Sequence, residues 1–308
     1  MLWFLLAVFV AITAAISVFI DNYVTDVCFK GRTPQAQKII GIPALLLACI
    51  IIPIFFPLQT IEPYLALILI GTGILTAISF IAYYKALATE DATGATIFFQ
   101  LAPIFYLIVG WTLLGEHITL VQVIAFALMV TAPLVVVFCY SKRSQRLKKR
   151  AVIFIILSLL LSVAANIIFV GVASGVGNSQ SIDFLTAFFY VTLGRLIADT
   201  VFTILFRRWR VRFTNVCRTS RIKFIAPMII NNFLFIFSDL AFRLALVLGP
   251  VALVSAATNS MQLAITFFLG LILTIVWPRF GREQLRRKTI LAHLTATGLV
   301  IAGIFLIG

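Results

Sequence analysis

The sequence predicts an all-α integral membrane protein with ten transmembrane helices, arranged as two inverted five-helix repeats. The first observation is composition: the 308 residues are 62% hydrophobic and 11% charged, with a mean hydropathy of +1.15, whereas soluble domains are about half apolar and a quarter charged. The second is the division of the chain into ten apolar runs. The third is that its two halves repeat each other. Together these observations exclude a water-soluble fold.

Each apolar run is long enough to cross a bilayer, because a hydrocarbon core of about 30 Å needs about 20 helical residues. A membrane-spanning barrel needs shorter, alternating strands instead, so the runs predict helices. The ten predicted spans are residues 2–27, 39–57, 64–88, 93–114, 118–140, 151–173, 183–206, 224–248, 251–277 and 289–307.

Positive charge lies on one face of the predicted membrane domain. Of the 24 Lys and Arg residues, all but Arg195 and Arg243 are at or beyond the ends of alternate spans, most of them in 141–150 and 207–223. The positive-inside rule places these basic loops in the cytoplasm and both termini outside, in a multi-pass inner or plasma membrane protein. The same loops are candidates for binding anionic membrane lipids. Because membrane orientation explains the net charge of +14, no nucleic-acid partner is predicted. A homodimer is one possible assembly.

The two halves of the chain carry similar residues at fixed offsets. AYYKAL at 82–87 aligns with AFRLAL at 241–246, an offset of 159. Polar positions align as well: Gln100 with Asn259 at that offset, and Asp21 with Asn166 at an offset of 145. Because each half has five spans, an odd number, the second half enters the membrane in the opposite direction. Such inverted repeats are typical of secondary transporters.

The segment AYYKALATEDATGATIFFQLAPIFYLIVGWTLLGEHIT at 82–119 resembles the third-to-fourth helix region of EamA-type proteins of the drug/metabolite transporter superfamily. The matching features are Ala86 with Leu87, Pro103, and Gly115 with Glu116. The second half repeats this theme more loosely. The resemblance implies a carrier of amino acids, nucleosides, sugars or drug-like compounds, and proton coupling is common among relatives. With the repeat, it predicts two EamA-like domains, 1–140 and 151–308, joined by a basic cytoplasmic linker at 141–150.

Polar side chains inside the apolar spans are the candidate functional residues, because a charge at the bilayer centre costs about 2.5–3.5 kcal/mol. In the eighth span, Asn232, Ile236, Asp239 and Arg243 share one helical face. Asp239 and Arg243 either pair as a strut between helices or line a cavity between the two halves. The predicted substrate-binding residues are Asp239, Arg243, Asn232, Gln100, Asn259, Gln262 and Asn166.

Three more acidic residues have predicted roles. Arg195 and Asp199, one turn apart in the seventh span, are predicted to form a structural ion pair. Asp21 has no cation nearby in the sequence other than Lys30, about two and a half helical turns away. Asp21 and Asp239 are therefore the predicted proton-coupling groups, and a helix-end cap is the alternative role for Asp21. Glu116, beside Gly115, is predicted to cap a helix turn.

The sequence contains no catalytic constellation. Neither His117 nor His293 has a nucleophile or a metal ligand at a suitable spacing, and the cysteines show no ligand spacing. No enzyme activity, cofactor or metal is predicted. The leading hypothesis is a secondary transporter or exporter of a small organic metabolite that works by alternating access. The alternatives are a non-transporting membrane scaffold or lipid-binding sensor and, third, an integral membrane enzyme.

Overall fold

Eleven α-helices make up most of the described chain, and no strand occurs in that part. The structure is a computed structural model that describes residues 1–30, 33–87, 101–116, 119–140, 149–175, 181–219, 222–276 and 287–307. The helices are α1 Leu2–Tyr23, α2 Lys38–Phe55, α3 Pro63–Leu87, α4 Ala102–Leu113, α5 Leu120–Tyr140, α6 Lys149–Ala173, α7 Phe184–Leu205, α8 Arg207–Thr219, α9 Ile222–Leu248, α10 Val251–Val276 and α11 Arg287–Ile307.

Seven of the described helices are long and apolar enough to cross a membrane, namely α1, α2, α3, α6, α7, α9 and α10. Three further apolar segments lie where the sequence predicts the fourth, fifth and tenth spans: Ala102–Leu113, which is α4, Leu120–Val135 in α5 and Leu291–Leu306 in α11. The all-helical, multi-pass architecture is therefore confirmed. Ten crossings and an inverted relation between the halves stay predictions.

The described helices gather into two compact units, each built from both halves of the chain. Unit 1 comprises Met1–Phe19, Thr96–Leu147 and Leu244–Gly308, and unit 2 comprises Ile20–Ala95 and Lys148–Arg243. Helices α1 and α9 therefore pass from one unit to the other. The predicted domains at 1–140 and 151–308 concern the sequence repeat and stay a prediction.

Unit 1 has a core of small side chains. Helices α4 and α5 pack against α10, and α5 also packs against α11. Ala252, Ala256 and Ala257 of α10 are fully buried beside Met129 of α5, and the Ser260 hydroxyl donates to the Met129 carbonyl at 2.7 Å. Small residues let membrane helices approach closely, so that a hydroxyl of one can reach the backbone of the next.

Unit 2 is organised around α3, which packs against α6 and α7. Ser79 of α3 and Ser158 of α6 each donate a hydroxyl to the other's carbonyl, at 2.8 and 2.9 Å. Gly73 and Gly194 bring α3 and α7 into backbone contact: a Cβ on Gly73 would overlap the Val191 carbonyl oxygen, and one on Gly194 would overlap the carbonyl oxygen of Ile70. This crossing has room only for glycine at both positions.

Gly73→Ala is expected to destabilise the protein by about 1–3 kcal/mol, the usual range for overpacking, because the added methyl group meets backbone atoms that cannot rotate away. Gly71→Ala is the matched control, since a Cβ at Gly71 has no neighbour within 4 Å. Thermal unfolding in detergent should show a lower Tm for Gly73→Ala and no loss for Gly71→Ala. Equal Tm values would contradict the close crossing.

Helix α8 corrects the sequence prediction, which treats residues 207–223 as a basic loop. Arg207–Thr219 is helical, with Trp209 and Val216 buried on one side. They pack against residues including Phe29 and Met228. The sequence prediction missed this helix because the mean hydropathy of the segment is dominated by its arginines. The helical signal consists of only two apolar side chains, seven positions apart on one helical face.

Candidate functional site

The candidate site of unit 2 follows one face of α9, here called the α9 seam: Asn231, Phe235, Asp239 and Arg243. These residues recur every four positions over about 18 Å of helix. Asn231, Phe235 and Arg243 each contact a polar or charged residue on another helix. Asp239 pairs with Arg243 of the same helix. Six charged residues inside the spans of unit 2 lie on this seam or are linked to it: Asp21, Lys38, Arg195, Asp199, Asp239 and Arg243.

At one end of the seam, two amides hold Asp21. Its Oδ1 accepts hydrogen bonds from Gln37 Nε2 at 2.5 Å and from Asn231 Nδ2 at 2.9 Å. Among the described residues no cation lies within ion-pairing distance of this carboxylate. The carbonyl oxygens of the same two amides, Gln37 Oε1 and Asn231 Oδ1, are buried and accept no hydrogen bond in the described structure. Asp21, the last residue of the first candidate span, thus has neutral partners and unused acceptors beside it.

The backbone around Asp21 is irregular. A π-helical turn, Val24–Cys28, follows α1, and a 3₁₀ turn, Pro34–Gln37, precedes α2 and ends at the amide that holds Asp21. Lys30 and Thr33 have positive φ values of 50° and 49°, a region where residues other than glycine are strained. Such distortions concentrate at functional sites.

The middle of the seam contains a charged cluster in which two cations share one carboxylate. Lys38 Nζ lies 2.5 Å from Asp199 Oδ1 and also donates to the Ala77 carbonyl at 3.0 Å. Arg195 Nε is 3.9 Å from the other carboxylate oxygen of Asp199. The Arg195 guanidinium also lies over the Phe235 ring of the seam, 4.4 Å from its centroid.

Lys38 corrects a second expectation. The sequence prediction counts it among the loop cations that orient the protein, but it is the first residue of α2 and is 6% exposed. The predicted pair of Arg195 and Asp199 is present at the limit of ion-pair distance, and Lys38 is the closer partner of Asp199.

At the other end of the seam, Asp239 and Arg243 pair within α9. Arg243 Nε is 3.2 Å from Asp239 Oδ1, Nη2 donates to Thr76 of α3 at 3.3 Å, and the guanidinium lies 5.0 Å from the Phe169 ring of α6. The Arg243 side chain is 1% exposed and that of Asp239 is 16% exposed. Arg243 Nη1 is buried without a hydrogen-bond acceptor in the described structure.

These six residues balance in total charge but not locally. Asp199 has two cationic partners, whereas Asp21 has none among the described residues. Asp239 and Arg243 neutralise each other. When Asp21 loses or gains a proton, its charge changes, and no adjacent group in the described structure cancels that change. The free-energy cost of an unpaired charge is high in such buried surroundings.

The other predicted substrate-binding residues lie in varied surroundings. Asn166 is buried in α6, and Asn232 donates to the Met228 carbonyl of its own helix at 2.8 Å. In unit 1, Asn259 donates to the Ser255 hydroxyl at 3.4 Å, and Gln262 is half-buried one turn further along α10. Gln100 lies outside the described residues.

Glu116, in unit 1, caps the helix turn beside Gly115 as predicted, because its backbone N–H donates to the Gly110 carbonyl at 3.1 Å. Its side chain caps a second helix. Gly115 ends α4 with a positive φ of 66°, which favours glycine. Glu116 then reaches α10, where its Oε1 accepts the Val251 backbone N–H at 2.9 Å. Burial raises the pKa of the Glu116 carboxyl, and this hydrogen bond partly offsets the effect.

Comparison with known proteins gives one matching family. Residues 1–138 match the model of the EamA-like transporter family. These 138 residues, a little under half of the chain, are thus similar to the EamA-like transporter family of the drug/metabolite transporter superfamily. The EamA resemblance drawn from Gly115 and Glu116 is thereby confirmed over the matched residues.

The chain also resembles solved structures. One, described only as the crystal structure of a protein, has a TM-score of 0.61 and 13% identity, and the match covers 97% of each chain. At this identity the likeness shows a shared fold alone. No curated protein matches the sequence. Among the described residues, no three His, Cys, Asp or Glu side chains are grouped as metal ligands.

Proposed function

We propose that this EamA-like protein is a secondary transporter of a small organic solute, works by alternating access and is driven by protons across a cell membrane. The observation that carries the proposal is the family match over residues 1–138. Support for alternating access comes from three packed helix pairs that the sequence repeat equates: α2 with α7, α4 with α10, and α5 with α11. Equivalent elements meet in this way beside a two-fold axis.

Proton coupling is assigned to Asp21. A coupling carboxylate must be stable both charged and neutral during the cycle. The amide hydrogens of Gln37 and Asn231 stabilise the charged form. When Asp21 is protonated, its O–H can donate to a carbonyl oxygen of one of these amides after rotation of that amide, because both oxygens lack other donors. An Asp21 with a fixed cation partner would resist protonation.

Solute binding is assigned to Asp239 and Arg243 of unit 2. Solute contacts of Asn166, Asn232, Asn259, Gln262 and Gln100 stay predictions from the sequence. Arg243 has a buried N–H group without an acceptor, and Asp239 keeps part of its surface exposed. An anionic group of the solute can accept from Arg243, while an ammonium group can donate to Asp239. A solute with both charges suits this pair.

Unused hydrogen-bonding groups also argue against the scaffold alternative. A purely structural polar network in a membrane gains stability only when its members are satisfied. Here Arg195 Nε, Arg243 Nη1, Gln37 Oε1 and Asn231 Oδ1 are buried without hydrogen-bond partners in the described structure. We propose that Gln37 or Asn231 accepts a hydrogen bond from protonated Asp21 and that Arg243 binds the solute.

The test is a transport assay with full-length protein in liposomes. Vesicles with and without a pH gradient are incubated with a mixture of amino acids, nucleosides, sugars and drug-like compounds, and the retained compounds are identified by mass spectrometry. We expect at least one compound to accumulate only with protein and a gradient. Asp21→Asn should abolish gradient-driven accumulation but keep downhill flux, because asparagine resembles the protonated carboxyl.

The matched control is Asp183→Asn, which removes an exposed carboxylate but keeps an N-cap at α7, where Asp183 accepts the Thr186 N–H at 3.1 Å. This variant should transport normally. Retention of no compound above empty vesicles would favour the scaffold alternative, and gradient-driven accumulation by Asp21→Asn would exclude Asp21 as the coupling group.

A further inference from the structure

Helix α8 presents a one-sided cationic surface at the end of an apolar span. Helix α7 ends with the apolar residues Ile204 and Leu205, and α8 begins two residues after Leu205. The α8 sequence RRWRVRFTNVCRT contains no acidic residue. A basic amphipathic helix directly after a membrane span is in a position to lie along the bilayer surface.

One side of α8 is anchored to unit 2. Trp209 and Val216 are 6% and 4% exposed. Between them, Arg212 Nη2 donates to the Phe29 carbonyl at 2.9 Å. Arg210 has a separate structural role: its Nη1 donates at 2.5 Å to the Ile204 carbonyl in the last turn of α7. These contacts fix the rotation of α8 about its own axis.

The remaining arginines of α8 are free for another partner. Arg207, Arg208 and Arg218 are exposed, and no ion pair joins them to an acidic side chain in the described structure. Arg207 and Arg218 are eleven residues apart, which is three helical turns, so they lie on one side of the helix. Val211 is 51% exposed between them, an apolar side chain within the cationic surface.

We infer that the exposed side of α8, defined by Arg207, Arg208, Val211 and Arg218, is a binding site for the headgroups of anionic phospholipids. The guanidinium group binds a phosphate through two parallel hydrogen bonds, and Arg is the usual residue for such recognition. The exposed Val211 side chain contacts the acyl chains next to the headgroup. A soluble anion has no acyl chain and offers Val211 no apolar contact. The site is separate from the α9 seam and is independent of the proposed transport activity.

The test measures lipid retention and needs no substrate. Full-length protein in neutral detergent is titrated with phosphatidylglycerol or phosphatidylcholine, and bound lipids are counted by native mass spectrometry. The triple variant Arg207→Gln, Arg208→Gln, Arg218→Gln should bind phosphatidylglycerol at least about tenfold more weakly, because each basic residue at an anionic surface contributes about fivefold in affinity. Binding of phosphatidylcholine should not change.

The control variant Lys30→Gln, Lys85→Gln, Arg150→Gln removes the same charge from exposed positions elsewhere. It should bind phosphatidylglycerol like the unmodified protein. If both variants lost the same affinity for phosphatidylglycerol, net charge alone would explain the binding, and the proposed site on α8 would be wrong. Competition by inorganic phosphate at the lipid's own concentration would also overturn it, because that result assigns the surface to a soluble anion. Both variants should keep the elution profile of the unmodified protein, since the substituted side chains are exposed.

Discussion

Asp199→Asn is expected to lower the free energy of unfolding by about 3–5 kcal/mol, the usual cost of removing one member of a buried ion pair. The Asp199 side chain is 2% exposed and forms ion pairs with both Lys38 and Arg195. Asparagine keeps an acceptor oxygen but no charge, so two cations are left uncompensated between the apolar helices α2, α3 and α7. The measurement is thermal or denaturant unfolding of the purified protein in detergent.

Lys38→Met is the informative comparison for Asp199→Asn. Methionine fills much of the space of the lysine side chain, and Asp199 keeps Arg195 as a partner at 3.9 Å. The loss of stability should therefore be clearly smaller than for Asp199→Asn. Equal losses in the two variants would mean that the Arg195 contact contributes nothing and that Lys38 with Asp199 is a simple pair.

The sequence predicts the parts of the fold that depend on local composition. Apolar runs of bilayer length identify most helices directly, because lipid demands both apolar side chains and internally bonded backbone. The motif at Gly115 and Glu116 indicates the EamA resemblance that the match over residues 1–138 supports. Gly115 has the positive φ that such a helix end requires. The polarity of Glu116 indicates a cap. That the capped helix is α10 follows only from packing.

Local sequence does not predict which charged residues pair across helices. Lys38 follows Lys30 and Arg32 in the chain and is thus grouped with loop cations, yet it pairs with a carboxylate 161 positions away. The contact of Gly73 with the backbone of α7 is equally non-local. Both depend on which helices become neighbours, and helical periodicity gives only the face that each helix presents.

The two neighbouring asparagines of α9 show what helical periodicity can and cannot predict. Asn232 fits a stripe with Asp239 and Arg243, and so does Asn231, because steps of three and four residues are both compatible with 3.6 residues per turn. In the structure Asn231 donates to Asp21, whereas Asn232 donates to its own helix. A role of Asn232 in solute binding stays a prediction.

Asp239→Asn is expected to reduce downhill transport of the identified solute by about tenfold or more, which corresponds to about 1.4 kcal/mol or more of lost binding free energy. The carboxylate of Asp239 is the partly exposed member of its ion pair, and asparagine can still accept the Arg243 Nε hydrogen that is now donated over 3.2 Å. The helix contacts of Arg243 with Thr76 and Phe169 are untouched. The variant should therefore remain folded and inserted in the membrane while it binds a cationic group of the solute less well.

The contrast with Asp21→Asn separates solute binding from proton coupling. Asp239→Asn should weaken downhill and gradient-driven transport together, because both require the bound solute, whereas Asp21→Asn should abolish only the gradient-driven part. Initial rates over a range of solute concentrations distinguish a raised KM from a lowered maximal rate, and Asp183→Asn reports any general effect of losing a carboxylate. If Asp239→Asn transports at the unmodified rate while eluting and melting normally, Asp239 and Arg243 form a strut between helices, and the solute must bind elsewhere.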